Sequence, residues 1–417
     1  MEALEQQFVQ AIGEVPVAGA DGGLAQYHIE VIGDAAELAR IKPEWDELLA
    51  KSGIDHPFLS HEWITSWWEC FGSGKTLHVL LARSGRVLTG IAPLMRGERK
   101  LYGMRASCLE ALYNPHTPRF DFIVVPAESE AVYHGLWNHL RGDASWDFLE
   151  LSQLRADSPT LASLARLARR DGCATGVWHG EHSPYIPFNG TFEAFFSRLG
   201  NNQRSELRRR MKRLQERGSV RLEEVTEAAQ IDAALNEGFR IEAAAWKAHT
   251  ATAISSAPEV EAFYRAFARR AAATGMLRLI FLTVGGRRIA FAYALQYCKK
   301  LYALKTGYDP EYSYYSPYNL LCYLVYQNGF ERGLDEYEFL GSNEAWKLVW
   351  TKLTRRHDWL YVFARRPRAR LLYLIKFRWM PLLQRQPCYR HLRDLLYPKG
   401  KARLGVRDGE RVPSDRN

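Results

Sequence analysis

The six cysteines of this 417-residue chain form no CxxC pair, and its twelve histidines form no HExxH. A disulfide framework and the common zinc motifs are thereby excluded, and free thiols suit a reducing, cytoplasmic compartment. Long apolar runs are missing too. The best, Leu371 to Ile375, is interrupted by Lys376 and Arg378 and falls far short of the roughly 20 residues needed to cross a bilayer. Residues 1–26 begin acidic and lack a basic start followed by an apolar core, so they read as a flexible leader rather than a secretory signal. Acidic residues are scarce at the other end. From Arg355 to Asn417 there are 17 Lys/Arg against 5 Asp/Glu, more than the whole-chain net charge of +9. The basicity therefore belongs to the tail, residues 366–417, where Arg and Lys alternate with Leu, Tyr and Trp. Such a segment suits the inner face of an anionic membrane, packing onto its own domain, or nucleic acid.

What remains is ordinary globular sequence, 47% hydrophobic and 25% charged, long enough for two domains. Its most organised stretch runs from Leu277 to Glu331. Leu277/Leu279/Phe281 and Ile289/Phe291/Tyr293/Leu295 alternate at strand period and meet at Gly285-Gly286, which predicts a hairpin. A third strand, Leu301 to Thr306, ends at Gly307, and Tyr308-Asp309-Pro310 breaks the ladder. Ser316 as N-cap, Pro317 at the first helical position and the stripe Leu320, Leu321, Leu324, Val325 predict a helix over 317–332. Its free N–H groups suit an anion.

A weaker copy of this pattern lies upstream. Leu77 to Met95 reads as strand, Ser84-Gly85 turn, strand. Further strands over 107–112 and 120–125, a helix over 130–141 and the strand from Trp146 complete it, as the strand from Asp335 completes the second. We read a decayed internal duplication, with the crossover at 176–190. In the first half YNPHTPRFDF replaces the Asp-Pro/Ser-Pro constellation; Asn114, His116 and Asp121 there can reach toward an acceptor, or His116 is an exposed turn residue. Phe58, Trp63, Trp67 and Phe71 at helical spacing predict core packing, with a pocket wall as the other use. Helices are expected over 201–217, 227–247 and 258–274; the first has a basic face suited to solvent, CoA phosphates, tRNA or an acidic glycan. The Thr/Ser/Ala-rich stretch 249–257 reads as a loop useful as an acceptor lid.

GYDPEYS, Ser-Pro opening a helix, and EYEFLGSNEAWKLVW resemble the GNAT acyltransferase superfamily, and within it the cellulose-biosynthesis-associated acetyltransferases; more distantly they are similar to Fem-type transferases, which pair two GNAT-like halves. The resemblance implies an α/β fold of two tandem GNAT-like domains, each a mixed, mostly antiparallel sheet flanked by helices: a degenerate one over 27–185 and a catalytic one over 186–365. It implies acetyl-CoA or another acyl-CoA as co-substrate, with no permanently bound cofactor and no metal. The acceptor would be an amine-bearing small molecule or glycan precursor. Lys305, Thr306 and Gly307 would lie along the pantetheine arm, and Ser316, Pro317, Tyr318 and Asn319 would meet the diphosphate. An amine with an unperturbed pKa of about 10.4 needs a base near neutrality. Glu242, amid Ala243 to Ala245, is the first candidate and Asp309 the second, unless the one is an exposed helix residue and the other a turn cap. Tyr308 is a candidate acid for the leaving thiolate. Trp246, Lys247 and Lys347 are expected at the acceptor or a phosphate. An aminoacyl-tRNA donor, as in Fem-type transferases, and a non-catalytic scaffold are the competing readings.

Overall fold

The computed structural model describes residues 27–246 and 254–385. Two antiparallel meanders build its ends. In the first, Tyr27–Ile32 (β1), Thr76–Ser84 (β2), Val87–Leu101 (β3) and Met104–Ala111 (β4) pair in succession, with Ile123–Val124 (β5) added to β3. Phe148–Arg155 (β6) then lies parallel to β4, and Ala174–Pro187 (β7) follows. The second repeats the scheme with Val220–Val225 (β8), Leu277–Val284 (β9), Arg287–Tyr297 (β10) and Lys300–Tyr308 (β11), followed by Glu336–Glu338 (β12) parallel to β11 and Thr354–Phe363 (β13). The β9–β10 turn uses Gly285 and Gly286 at φ 56° and 86°, the left-handed pair that a two-residue hairpin requires.

The two halves exchange strands. Along the sheet the order is β1-β2-β3-β4-β6-β13-β7-β12-β11-β10-β9-β8, so β13 closes the first half against β6 while β7 crosses to β12. The expected crossover at 176–190 is thus largely a central strand. Its glycines are places of close approach: a Cβ on Gly176 would lie 2.4 Å from the Phe377 ring, and one on Gly180 2.5 Å from the His357 carbonyl. Proline content misled the reading here, because Pro184 needs only its carbonyl, which accepts from the Phe339 N–H at 3.2 Å. The strand expected over 120–125 shrinks to two residues.

One face of the sheet carries the helices His61–Phe71, Ala228–Trp246 and Pro258–Ala273, and their core runs unbroken between the halves. Trp63 meets Phe263 and Phe267 edge-on at 5.0 and 4.8 Å, contacts that add to the area buried. The other face, under Asn201–Gln215 and Pro317–Glu331, is a separate aromatic core around Phe188, Tyr326 and Tyr337. Ion pairs also join the halves: Arg119 with Glu338 at 3.3 Å, buried, and Lys300 with Asp55 at 2.7 Å, half-buried. Among the described residues no helix is long and apolar enough to cross a membrane.

The tail is partly structural. Ala369 and Leu372, on the helix Pro367–Leu374, are buried against Phe148, Tyr361 and Phe363. The same segment exposes Trp379 and Leu382, at 48% and 57%.

Candidate functional site

The register of β10 and β11 breaks once. Ala294 faces Ala303 and Tyr293 faces Lys305, so Leu304 is an extra residue, a bulge of the kind that re-aims side chains beside active sites. After it, Lys305 and Gly307 face the 228–246 and 258–273 helices, while Tyr308 packs into the opposite core. β11 also pairs with β12 only from Lys300 to Tyr302. From Ala303 to Tyr308 that edge of the strand has no ladder partner among the described residues, and its backbone groups remain for an extended ligand.

Gly307 lets a helix lie directly on this strand. A Cβ there would come within 2.5 Å of Glu242 Cα, so the 228–246 helix seats Glu242 over the bulge. Glu242 is 2% exposed and accepts the Ile254 N–H at 3.1 Å. Burial raises its pKa above the usual carboxylate value, and the nearby Lys305 only partly offsets this. Lys305 is perturbed in the opposite sense: burial lowers its pKa and Glu242 opposes the shift. Burial thus moves the two groups in opposite directions, the carboxyl up and the ammonium down, while each partly offsets the shift of the other. The Lys305 ammonium also stands 5.8 Å from the Tyr264 ring centre.

His116 comes to this place from the first half. Its ring meets Tyr264 edge-on at 5.8 Å and stacks on Phe71 at 6.2 Å. It is no exposed turn residue: desolvation and the Lys305 charge depress its pKa to about 4, so the imidazole is neutral near pH 7. Asn114 orients that loop, its Oδ1 accepting the His116 N–H at 3.0 Å. Tyr264 had no motif to announce it; it lies on the buried stripe of its helix. Asp121 is elsewhere, bound to Ser158 and Thr160 at the start of the helix Pro159–Arg170, with burial raising its pKa to about 6.

Other expected residues take structural roles. Asp309 caps the turn: it accepts the Glu311 N–H at 3.1 Å and Arg287 Nη2 at 2.7 Å. Ser316 does not cap with its hydroxyl. It sits at φ 48°, a left-handed hinge between the turn Pro310–Tyr315 and the helix, and Arg210 donates to its Oγ. Pro317 is buried at the first turn, as expected of that position, with Asn319 half-buried behind it. Tyr318 fills space between the helix and the parted strands, with Ala303, Cys322 and Tyr337 around a cavity of about 10 Å³, and its ring meets Trp346 edge-on at 5.4 Å. That cavity admits about one water. Lys347 is buried. Its ammonium donates to the Leu340 and Ser342 carbonyls at 2.8 and 2.9 Å and pairs with Glu344, clasping the loop after β12. Trp246 ends its helix, and Lys247 and most of the stretch 249–257 lie outside the described residues.

Residues 201–348, which hold the whole of this arrangement except His116 and its loop, match the family described as the acetyltransferase (GNAT) domain. The chain is a transferase carrying a GNAT domain. No curated protein sequence matches it. Among solved structures, FemX is similar over 80% of this chain and 98% of its own, at 13% identity and a TM-score of 0.54, which places the two-half architecture in a known fold. The C-terminal domain of a putative lysylphosphatidylglycerol synthetase from Agrobacterium fabrum is similar at 13% identity, with coverage of 81% and 95% and a TM-score of 0.49. A tandem GNAT protein from the clavulanic acid biosynthesis pathway follows at 13%, 80%, 98% and 0.45. Within the GNAT domain, the meander and the helix opening at Pro317 are elements that the sequence pattern predicted, and the bulge is not.

Proposed function

We propose that the protein transfers an acyl group from acyl-CoA to an amine by direct attack within a ternary complex. The observation that carries this reading is the Glu242–Lys305 pair set over the bulge of β11, beside the strand edge that lacks a partner. The thioester arm extends along Ala303 to Tyr308, its amides bonded to that edge, and its diphosphate lies at the amino end of the 317–331 helix. There the helix dipole supplies positive charge, and Arg210, which also pairs with Glu206, supplies guanidinium donors. The acceptor arrives on the opposite face. Glu242 takes one proton from the ammonium, the freed amine attacks the thioester carbonyl carbon, and Lys305 stabilises the oxygen that becomes negative. The C–S bond then breaks, Tyr308 gives its proton to the departing thiolate and is reprotonated by the second proton of the nitrogen, and the neutral amide remains on the acceptor. Holding both substrates in this order supplies much of the rate.

Isothermal titration with acetyl-CoA tests the donor. Saturable binding is expected, weakened about tenfold by Arg210→Gln through loss of a charge-assisted bond. Absence of heat at about 1 mM ligand would remove the CoA reading and leave an aminoacyl-tRNA donor to be tested by retention of tRNA.

The exposed part of the tail supports a place for this reaction. Residues 366–385 contain six Arg/Lys and no Asp/Glu, and their outward side presents Leu371, Trp379, Leu382 and Leu383. We propose that this face rests on an anionic lipid surface at the cytoplasmic side of a membrane, each basic residue contributing about 1 kcal/mol. Deleting the tail would strip Leu372 and Phe377 from the core, so Trp379→Ser with Leu382→Ser is the cleaner variant. It should lose co-sedimentation with phosphatidylglycerol vesicles while remaining folded; unchanged sedimentation would refute the placement.

A further inference from the structure

The pairing of β11 with β12 stops at Tyr302 opposite Glu338. Neighbouring strands go on pairing unless their next backbone groups are engaged elsewhere, because open N–H and C=O groups attract a partner strand. Beyond Glu338 they are engaged. The Phe339 N–H goes to the Pro184 carbonyl at 3.2 Å, the Gly341 carbonyl accepts the Ser183 hydroxyl at 2.6 Å, and the Leu340 and Ser342 carbonyls accept Lys347. Leu340 stands at φ 57°, a conformation that a residue with a side chain keeps only when its surroundings impose it. The two strands therefore form a fork, closed at Lys300–Tyr302 and open from Ala303 onward.

Both prongs are fastened to the first half at the closed end. On β11, Lys300 pairs with Asp55 at 2.7 Å, and the Tyr302 hydroxyl donates to the Asp55 carbonyl at 2.5 Å. On β12, the Glu338 carboxylate accepts Arg119 at 3.3 Å, and Arg355 of β13 reaches both Glu336 and Glu338. Arg119 is 4% exposed and Glu338 3%, so this pair is held away from water, where the loss of one partner is felt most. Arg119 belongs to the loop that carries Asn114 and His116. Its Nη1 donates to the Pro118 carbonyl of that loop at 2.9 Å, which fixes the guanidinium.

We propose that Arg119 is a positioning residue for the thioester donor: through Glu338 it anchors β12 to the first half, and so keeps the β11 edge from Ala303 to Tyr308 open for the donor arm. This rests on the acyl-transfer reading for the identity of that arm. Asp55 has the matching part on β11. With each strand tied at the last rung, the two neither zip further nor drift apart, and the groove between them has a set width. The first half thereby takes part in donor binding although it offers the arm no surface of its own. Burial raises the Glu338 carboxyl to about 7, and Arg119 opposes that rise. Without Arg119 the carboxyl takes up a proton near neutrality, so the anchor is lost without leaving a bare charge in the interface.

The test is calorimetric titration of the full-length protein with acetyl-CoA, together with amide hydrogen exchange over residues 336–342. Arg119→Met keeps the length of the side chain and removes its charge. It should bind acetyl-CoA about tenfold more weakly, as loss of one hydrogen bond between charged groups predicts, and exchange faster over 336–342. Arg119→Lys, which restores the charge, should recover much of both. Ile91→Val, in the first-half core where β3 meets β2 and β5, lowers stability without touching the fork and should alter neither. Should Arg119→Met fail to fold, Tyr302→Phe takes its place: it removes only the bond to Asp55 and should weaken acetyl-CoA several-fold. Parent-like binding in Arg119→Met, no recovery in Arg119→Lys, or an equal loss in Ile91→Val overturns the proposal. A parent that binds no acetyl-CoA sinks the transfer reading. In that case faster exchange over 336–342 in Arg119→Met leaves the anchor standing, and unchanged exchange overturns it too.

Discussion

Glu242→Gln is expected to lower kcat by about 10²–10⁴, the span attributed to a positioned general base, while acetyl-CoA binding stays within a factor of two or so. The variant keeps the volume of the side chain and an acceptor for the Ile254 N–H, so the fold around β11 should persist. The pH behaviour separates a catalytic role from a structural one. Because burial raises the Glu242 pKa above 4.5, the folded protein holds that proton more tightly than the unfolded chain. Its contribution to stability is therefore present at acid pH and lost as pH rises through the folded value. Glu242→Gln, which cannot ionise, should melt no lower than the parent at pH 8. Turnover runs the other way: in the parent it should climb with pH as the carboxylate ionises, along a limb lying above 4.5. His116, at about 4, is already neutral through the upper part of that range. A variant that retained the limb and most of its kcat would show that another group takes the proton.

Gly307→Ala should damage the enzyme from the other side of the same contact. The added methyl would sit 2.5 Å from Glu242 Cα and 3.0 Å from its backbone nitrogen, and neither atom can swing aside as a side chain would. The helix must lift from the strand, at about 1–3 kcal/mol for overpacking. A base carried about 1 Å out of place can lose on the order of 10² in rate. Activity should thus fall far more than the melting temperature implies, with acetyl-CoA binding along the β11 edge much less affected. Gly142→Ala, at a helix end with nothing within 4 Å, is the matched control and should be close to silent. Equal activity loss in both variants, or none in Gly307→Ala, would remove the close packing of this helix from the account of catalysis.

Much of the architecture was legible without coordinates because its causes are local. Alternating Leu277/Leu279/Phe281 and the Gly285-Gly286 turn need no distant partner to form a hairpin, and Pro317 opens a helix wherever its missing N–H costs nothing. The duplicated order of elements was legible for the same reason. Where the reading went astray, two functions compete for the same residue type. Asp309 before Pro310 reads equally as base or cap, and only the structure shows Arg287 on one oxygen and the Glu311 N–H on the other. Lys347 looks free in a string of letters, but the loop after β12 folds back so that two carbonyls claim its ammonium. Ser316 satisfies the cap pattern, yet the preceding turn forces it into a left-handed conformation that points its hydroxyl at Arg210.

The sequence by itself determined the strand–turn–strand–helix order, the GNAT resemblance, the basic tail and Glu242 as a carboxylate in apolar company, since each follows from neighbours within a few residues. Only the tertiary structure decided that β7 and β13 trade places between the halves and that the β11 bulge turns Lys305 toward Glu242. It alone brings His116, Trp67 and Phe71 from the first half to the edge of the site. Those arrangements depend on contacts between residues tens to nearly two hundred positions apart, and side-chain period and turn chemistry carry no information at that range.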